Sequence, residues 1–104
     1  MIKHTTTASF QDDVINSKVP VLVDFWAAWC GPCRMQGSIL EKFDAKEDNS
    51  KFTICKVNVD EEGHLAQQFS VMSIPTLLVF KDGKVVQQAV GVRQEDALKS
   101  MLGL

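Results

Sequence analysis

The stretch Trp29-Cys30-Gly31-Pro32-Cys33 places two cysteines three positions apart, directly before a segment with helical periodicity. Apolar residues recur there at helical spacing, which predicts a helix over about 33–46 along Met35, Ile39, Leu40 and Phe43. Both thiols are therefore expected at a helix N-terminus, where free N–H groups and the helix dipole stabilise a thiolate. Because the thiolate is the nucleophile in disulfide exchange, this placement predicts reactive cysteines.

The order of the two cysteines predicts different environments for them. Cys30 lies before or at the first turn and is expected to be exposed, whereas Cys33 lies a turn further in and is expected to be covered. Pro32 suits a first-turn position, because its missing N–H would have no helical partner there. Gly31 lets the backbone pass close to a partner or to a disulfide bridge.

The rest of the chain predicts alternating strands and helices in a single domain over 1–104. We expect five strands, over 2–6, 19–27, 52–59, 76–80 and 85–90. Helices are expected around Phe10 and Val14, over 33–46, after Asp60 and at the C-terminus. Asp82-Gly83 predicts a tight hairpin between the last two strands. This order indicates an α/β protein whose first three strands are parallel, with the hairpin adding an antiparallel pair.

Composition excludes several classes of protein. Of the 104 residues, 45% are hydrophobic and 23% are charged, and the net charge is −2, which disfavours a nucleic-acid partner. No apolar run approaches the roughly 20 residues of a membrane span, and residues 1–7 lack an apolar signal core. We therefore expect a cytoplasmic protein without a membrane partner. In that compartment a Cys-x-x-Cys pair is more often catalytic or metal-binding than structural.

Asp24 interrupts the most apolar run of the chain, Val21–Trp26. Burial of a carboxylate is costly, so its pKa should be raised. Asp24 lies six residues before Cys30, and a raised-pKa carboxyl beneath the motif could take the proton of Cys33 through a water. The alternative is a strand-end aspartate that caps a backbone group or meets solvent. Lys56 shares a strand face with apolar residues, so it either extends to solvent or is paired.

With the preceding Val23-Asp24-Phe25-Trp26-Ala27, the cysteine motif resembles the active-site segment of the thioredoxin family. Ser73-Ile74-Pro75-Thr76 resembles the second loop of that family, and the likeness spans nearly the whole chain. The resemblance implies a thioredoxin fold, a five-stranded mixed sheet flanked by four helices. The cysteine helix would then begin at the carboxyl end of the central strand, where open α/β sheets place their sites.

The resemblance implies a protein dithiol–disulfide oxidoreductase that needs no cofactor beyond a redox-active Cys30–Cys33 disulfide. Cys30 would be the nucleophile and Cys33 the resolving thiol. Asp24 would be the proton acceptor, and Lys56 would tune its pKa. The implied partners of this monomer are disulfide-containing proteins and a flavoprotein thioredoxin reductase that uses NADPH.

The second loop is implied to contain a cis peptide bond between Ile74 and Pro75. The alternative is an ordinary trans proline at a strand start. A cis bond would place the Ile74 backbone beside the cysteines, free to pair with an extended substrate. We call the expected flat, mostly apolar surface the substrate platform; it comprises Trp29, Ile74, Pro75, Gly91 and Val92.

Two other functions fit the cysteine pair. One is a zinc site at Cys30 and Cys33 completed by Cys55 or His64, although structural zinc needs four ligands, usually from two such pairs. The other is a redox-silent binding scaffold. Cys55 shares a strand face with valines and is expected to be a buried, inert thiol, and His4 receives no role.

The chain departs from the usual family pattern in three respects. Ser38, preceded by Gly37, stands where the family usually has a kinking proline, so the helix should be softer there. Arg34 replaces the commoner lysine and keeps a cation near the thiols. Gln94 stands where a Ser, Thr or Asp cap would be expected, which predicts a frayed start for the C-terminal helix.

Overall fold

A mixed five-stranded β-sheet organises the chain. The structure is a computed structural model that describes all residues, 1–104. Its strands are β1 (Ile2–His4), β2 (Val21–Trp26), β3 (Thr53–Asn58), β4 (Thr76–Lys81) and β5 (Lys84–Val90). Their order across the sheet is β1-β3-β2-β4-β5, with β1, β3 and β2 parallel and with β4 and β5 antiparallel to their neighbours. The predicted five-stranded mixed sheet is confirmed, with β2 at its centre.

Four helical segments flank the sheet, as predicted. They are a short π-helical segment (Gln11–Ile15) and the helices α1 (Gly31–Lys46), α2 (Gly63–Gln68) and α3 (Glu95–Leu102). Gln94 provides no side-chain cap for α3, as its residue type predicted. None of the helices combines the length and the apolar composition that crossing a membrane requires.

Alternation along β2 divides the core between the two faces of the sheet. Val21, Val23 and Phe25 belong to an apolar cluster with Phe10, Val14 and Leu65. Leu22 belongs to the opposite cluster, which contains Leu40 and Phe43 of α1 and Leu98 and Leu102 of α3. Successive side chains of a strand point to opposite faces. Asp24 is in phase with Leu22 and therefore lies on the α1 side of the sheet.

The hairpin between β4 and β5 turns at Asp82 and Gly83, as the sequence predicted. Both residues have positive φ, 52° and 78°, which suits the two-residue turns that connect twisted strands. Gly83 also approaches the neighbouring π-helical segment, because a Cβ there would lie 3.3 Å from Ile15 Cγ2. A side chain at position 83 would be strained both by its backbone and by this contact.

The buried face of α1 differs from the predicted one. It comprises Cys33, Gln36, Gly37, Leu40 and Phe43, whereas Met35 is 57% exposed. The prediction for Met35 was wrong because two positions along a helix turn the side chain more than half-way round from Cys33. The helix runs without interruption through Gly37 and Ser38, so the lack of proline leaves α1 continuous.

Candidate active site

Cys30 and Cys33 form a disulfide at the start of α1, with their Cα atoms 5.2 Å apart. Cys30 is the N-cap residue of the helix, and the Cys33 N–H donates a hydrogen bond to the Cys30 Sγ at 3.2 Å. An N–H aimed at this sulfur stabilises negative charge on it once the bridge is reduced. The sequence therefore places one thiol where its thiolate is stabilised by the helix N-terminus.

Cys30 is more accessible than Cys33, but both are buried, with 5% and 2% of their surfaces exposed. The expectation that Cys30 would be openly exposed was therefore wrong. Both sulfur-bearing residues pack with Ala27, and Ile74 covers this small cluster from the second loop. The Cys30 Sγ lies 3.9 Å from the Ile74 carbonyl oxygen, so the second loop borders the sulfur that a substrate must reach.

The Trp29 side chain is 70% exposed, in contrast to the two cysteines of the motif. Its indole Nε1 donates a hydrogen bond to Asp60 Oδ2 at 2.9 Å, which fixes the ring at the end of β3. Pro32 lies in the first turn of α1, as expected, and a Cβ at Gly31 would meet no atom within 4 Å. The motif thus presents an oriented aromatic ring beside an open stretch of backbone.

Asp24 and Lys56 lie side by side on the central strands. They are register partners on β2 and β3, and Lys56 Nζ lies 3.8 Å from Asp24 Oδ2. The Asp24 side chain is fully buried, and neither of its oxygens has a hydrogen-bond partner. Burial raises the pKa of Asp24 from 3.8 to about 7, and the charge of Lys56 partly opposes this rise. The carboxyl can therefore exchange a proton near neutral pH.

The Lys56 amine is enclosed from two further sides. It lies 4.9 Å from the centre of the Trp26 ring, at a distance that permits a cation–π interaction. A Cβ added at Gly37, one turn after Cys33, would lie 3.1 Å from Lys56 Nζ. Glycine at position 37 therefore leaves the space that the amine occupies between α1 and the sheet.

Gly37→Ala is expected to stabilise the protein by up to about 1 kcal/mol, because alanine is the better residue inside a helix. The Lys56 side chain is 17% exposed, so its flexible end can move away from the new methyl group. Urea unfolding of variant and wild type measures the difference. Gly63→Ala serves as the control, since its Cβ would meet nothing within 4 Å. A destabilised Gly37→Ala beside a neutral or stabilised Gly63→Ala would show that the amine cannot yield.

The second loop lies against the cysteines. The Ile74–Pro75 peptide bond is cis, and the Gly91 N–H donates to the Pro75 carbonyl at 2.8 Å. Ile74, Gly91 and Val92 are half-buried, whereas Pro75 is buried. The structure thus brings the residues of the substrate platform together, but Pro75 lies beneath the surface instead of forming part of it.

The thioredoxin family model matches residues 1–103 of the chain. The chain belongs to the thioredoxin family. It is 50% identical over 97 residues to the thioredoxin of Alicyclobacillus acidocaldarius subsp. acidocaldarius, with 93% of this chain and 90% of the relative covered. It is also 50% identical over 93 residues to the thioredoxin of Mycobacterium tuberculosis (strain ATCC 25618 / H37Rv), with 89% of this chain and 79% of that protein covered.

A third relative joins two proteins in one chain. The bifunctional thioredoxin reductase/thioredoxin of Mycobacterium leprae is 46% identical over 93 residues, which cover 89% of this chain and 20% of the relative. Family membership and the Cys30–Cys33 disulfide together identify the chain as a protein-disulfide oxidoreductase of the thioredoxin family. The redox group of such a protein is its own cysteine pair.

The third thiol lies outside this site. Cys55 is a buried residue of β3 in the apolar cluster on the face opposite α1. Burial raises the pKa of its thiol, which disfavours the thiolate and matches an inert core residue. No group of three His, Cys, Asp or Glu side chains is placed to hold a metal ion. The cysteine pair therefore lacks the further ligands, from Cys55 or His64, that the zinc hypothesis required.

Sequence reasoning missed an apolar groove beside the platform of this thioredoxin-family chain. The groove encloses about 390 Å³ and is lined by Trp29, Val59, Ala66, Val71, Met72, Ser73 and Ile74. Met72 is 93% exposed at its rim. The sequence signal that could have indicated this groove is the apolar pair Val71-Met72 directly before the second loop, because loop segments are usually polar.

The structure also shows contacts of Arg34 and Gln36 that the sequence did not indicate. The Arg34 guanidinium donates to the Ala28 carbonyl at 3.0 Å, so it folds back toward the segment before the motif and keeps a cation near the cysteines. Gln36 is buried in the helix face that packs on the sheet and bonds to the backbone of Arg93. Its polar side chain gave no apolar signal, although its spacing of three from Cys33 placed it on the same helix face.

Proposed function

We propose that Cys30 carries out the nucleophilic step of disulfide reduction and that Cys33 resolves the product. The Cys30 thiolate attacks one sulfur of a substrate disulfide, so that a mixed disulfide forms and the other substrate sulfur leaves as a thiolate that takes up a proton. Cys33, once deprotonated, attacks Cys30 and releases the second substrate thiol. Two electrons and two protons pass to the substrate, and the Cys30–Cys33 disulfide forms. The observation that carries this assignment is the Cys33 N–H bond to the Cys30 Sγ at 3.2 Å.

In this proposal Asp24 accepts the proton of Cys33 through a water, and Lys56 tunes the pKa of Asp24. Three features support these roles: complete burial of the carboxyl, its pKa of about 7 and the neighbouring amine. Asp24 lies on the α1 side of the sheet, and the Lys56 amine reaches Gly37, one turn after Cys33. A group that titrates near 7 can accept a proton from a thiol and return it at physiological pH.

Substrates are proposed to dock on the platform formed by Trp29, Ile74, Gly91 and Val92, with Pro75 as its support. An extended substrate segment would pair with the backbone of Ile74, whose carbonyl lies 3.9 Å from the Cys30 sulfur. Disulfide-containing proteins are the proposed substrates. An NADPH-dependent thioredoxin reductase is the proposed source of electrons, supported by the M. leprae relative that carries both activities in its name. We further propose that residues 1–104 act as a single-domain monomer in the cytoplasm, without nucleic-acid or membrane partners.

Insulin reduction tests the function directly. With dithiothreitol as the electron source, the protein is expected to accelerate insulin precipitation, and with NADPH and a bacterial thioredoxin reductase it is expected to turn over without dithiothreitol. Each turnover should oxidise one NADPH per disulfide reduced, because both steps transfer two electrons. If the protein accelerated neither reaction, it would be a redox-silent scaffold. Stoichiometric zinc in the reduced protein, found by metal analysis, would support the zinc-site hypothesis instead.

A further inference from the structure

Gln36 is a polar side chain inside the packed face of α1, and no part of it is exposed. Its amide forms two hydrogen bonds to the backbone of one residue in another part of the chain. The Arg93 N–H donates to Gln36 Oε1 at 2.7 Å, and Gln36 Nε2 donates to the Arg93 carbonyl at 3.0 Å. Because an amide is costly to bury without partners, this pair of bonds holds the loop and α1 in one relative position.

The loop that Gln36 holds contains Gly91 and Val92 of the platform. It connects the end of β5 at Val90 with the start of α3 at Glu95. Its other anchor is the bond from the Gly91 N–H to the Pro75 carbonyl at 2.8 Å. Val92 therefore lies between two anchors, one on the helix that carries the cysteines and one on the second loop.

The Arg93 side chain forms a hydrogen bond within the loop and does not join the loop to α1 or to the second loop. Its guanidinium donates to the Val92 carbonyl at 3.2 Å, which is a contact within the loop. The contacts from Gln36 and Pro75 are the ones that join the loop to the rest of the site. Loss of the Gln36 bonds would leave the Arg93 backbone unpartnered and free to move relative to Cys30.

We propose that Gln36 is a positioning residue that fixes the Gly91–Arg93 loop and thereby shapes the platform for protein disulfides. The inference rests on the platform proposed above. A protein disulfide must fit against Ile74 and Val92 while its sulfur reaches Cys30. A small aromatic disulfide has no polypeptide chain to place against the loop, so its reduction depends on the Cys30 thiolate alone. Gln36 should therefore influence the reduction of proteins and leave the reduction of small disulfides unchanged.

Gln36→Met tests the proposal, because methionine has a similar length but cannot form either bond. The second-order rate constant with insulin is expected to fall roughly threefold to tenfold through a higher KM, as for a lost hydrogen bond. The rate constant with 5,5′-dithiobis(2-nitrobenzoic acid) and the reduction potential are expected to stay at wild-type values. Equal losses with both disulfides, or no loss with insulin, would overturn the proposal.

Leu40→Ala is the control for a general loss of stability. Leu40 lies on the same face of α1, fully buried in the cluster beneath the sheet, and has no bond to the loop. The Leu40→Ala substitution should lower the free energy of unfolding, while the ratio of the insulin and small-disulfide rate constants stays at the wild-type value. A ratio that fell equally in Leu40→Ala would assign the effect of Gln36→Met to loosened packing and would reject a specific role.

Amide hydrogen exchange of the unaltered protein provides a test that needs no variant. The Arg93 N–H is bonded to Gln36, so it should exchange slowly, whereas the N–H groups of Val92 and Gln94 have no partner and should exchange fast. Fast exchange at Arg93 would show that the contact does not hold the loop. Failure of the wild type to reduce insulin would instead reject the proposed function, and the exchange result would still decide the contact.

Discussion

Cys30→Ser is expected to lower insulin reduction to the uncatalysed rate of dithiothreitol, and Cys33→Ser is expected to trap substrates as stable mixed disulfides. The N-terminus of α1 stabilises a thiolate at position 30, where the Cys33 N–H points at the sulfur from 3.2 Å. Serine at position 30 removes the nucleophile. Serine at position 33 keeps the nucleophile and removes the thiol that would release the substrate.

Incubation with an oxidised protein substrate, followed by mass spectrometry without reductant, measures the trapped species. Cys55→Val is the matched control, because it removes the third thiol of the chain from a fully buried position. It should retain turnover and form no trapped complex. Trapping by Cys30→Ser instead of Cys33→Ser would reverse the order of attack, and loss of turnover in Cys55→Val at unchanged folding would give the third thiol a role.

Asp24→Asn is expected to make the folded protein more stable at neutral and alkaline pH. Burial raises the pKa of Asp24 from 3.8 to about 7 in the folded protein. Between these two values the folded state binds the proton that the unfolded state has lost, so the ionisable carboxyl lowers stability progressively as the pH rises through this window. A shift of this size corresponds to roughly 4 kcal/mol above pH 7.

Asparagine has nearly the shape of aspartic acid and does not ionise. The variant should therefore match the wild type at about pH 4 and exceed its stability by roughly 2–4 kcal/mol at about pH 8. Denaturant unfolding of the oxidised protein across this range measures the difference. Asp82→Asn is the control, because it makes the same substitution in the exposed hairpin turn, where aspartate and asparagine both tolerate positive φ. Its difference in stability from the wild type should not increase with pH.

The same substitution should slow resolution of the mixed disulfide. Without a carboxylate to accept the proton of Cys33, the step is expected to be roughly 100-fold slower at neutral pH and to lose its rise through pH 7. Attack by Cys30 should change less, because the helix N-terminus still stabilises its thiolate. Single-turnover reduction of a disulfide substrate across pH separates the two steps. A variant that was less stable than wild type yet equally fast would leave Asp24 with a structural role only.

The pairing of Asp24 with Lys56 shows what could be predicted from the sequence. Each residue is a charge on the apolar face of a strand, and strict alternation along a strand assigns it to one side of the sheet. Periodicity does not set which residues of two neighbouring strands face each other. The expectation that Lys56 lies beside Asp24 came from the resemblance to the thioredoxin family, and the structure places the two as register partners. Local periodicity and turn residues did predict the strands, the hairpin at Asp82-Gly83 and the helix after Cys33.

Some features of the site could not be predicted from the sequence, namely the burial of Gln36, the exposure of Met35 and the cover over Cys30. Apolar character served as the guide to the inner face of α1, and it selected exposed Met35 over buried Gln36. The partner that makes Gln36 suitable for the interior lies 57 residues away. Ile74, which covers Cys30, lies 44 residues away. Contacts of this kind depend on how distant loops meet, and no local pattern encodes them.

The position of the indoles has a practical consequence for spectroscopy. The chain contains two tryptophans and no tyrosine. Trp29 adjoins Cys30 and is bonded to Asp60, and Trp26 lies beneath the Lys56 amine. All tryptophan emission therefore originates within the site. Changes in its intensity or wavelength report the oxidation state, the ionisation of nearby groups or an arriving partner, without background from the remaining surface and without any attached dye.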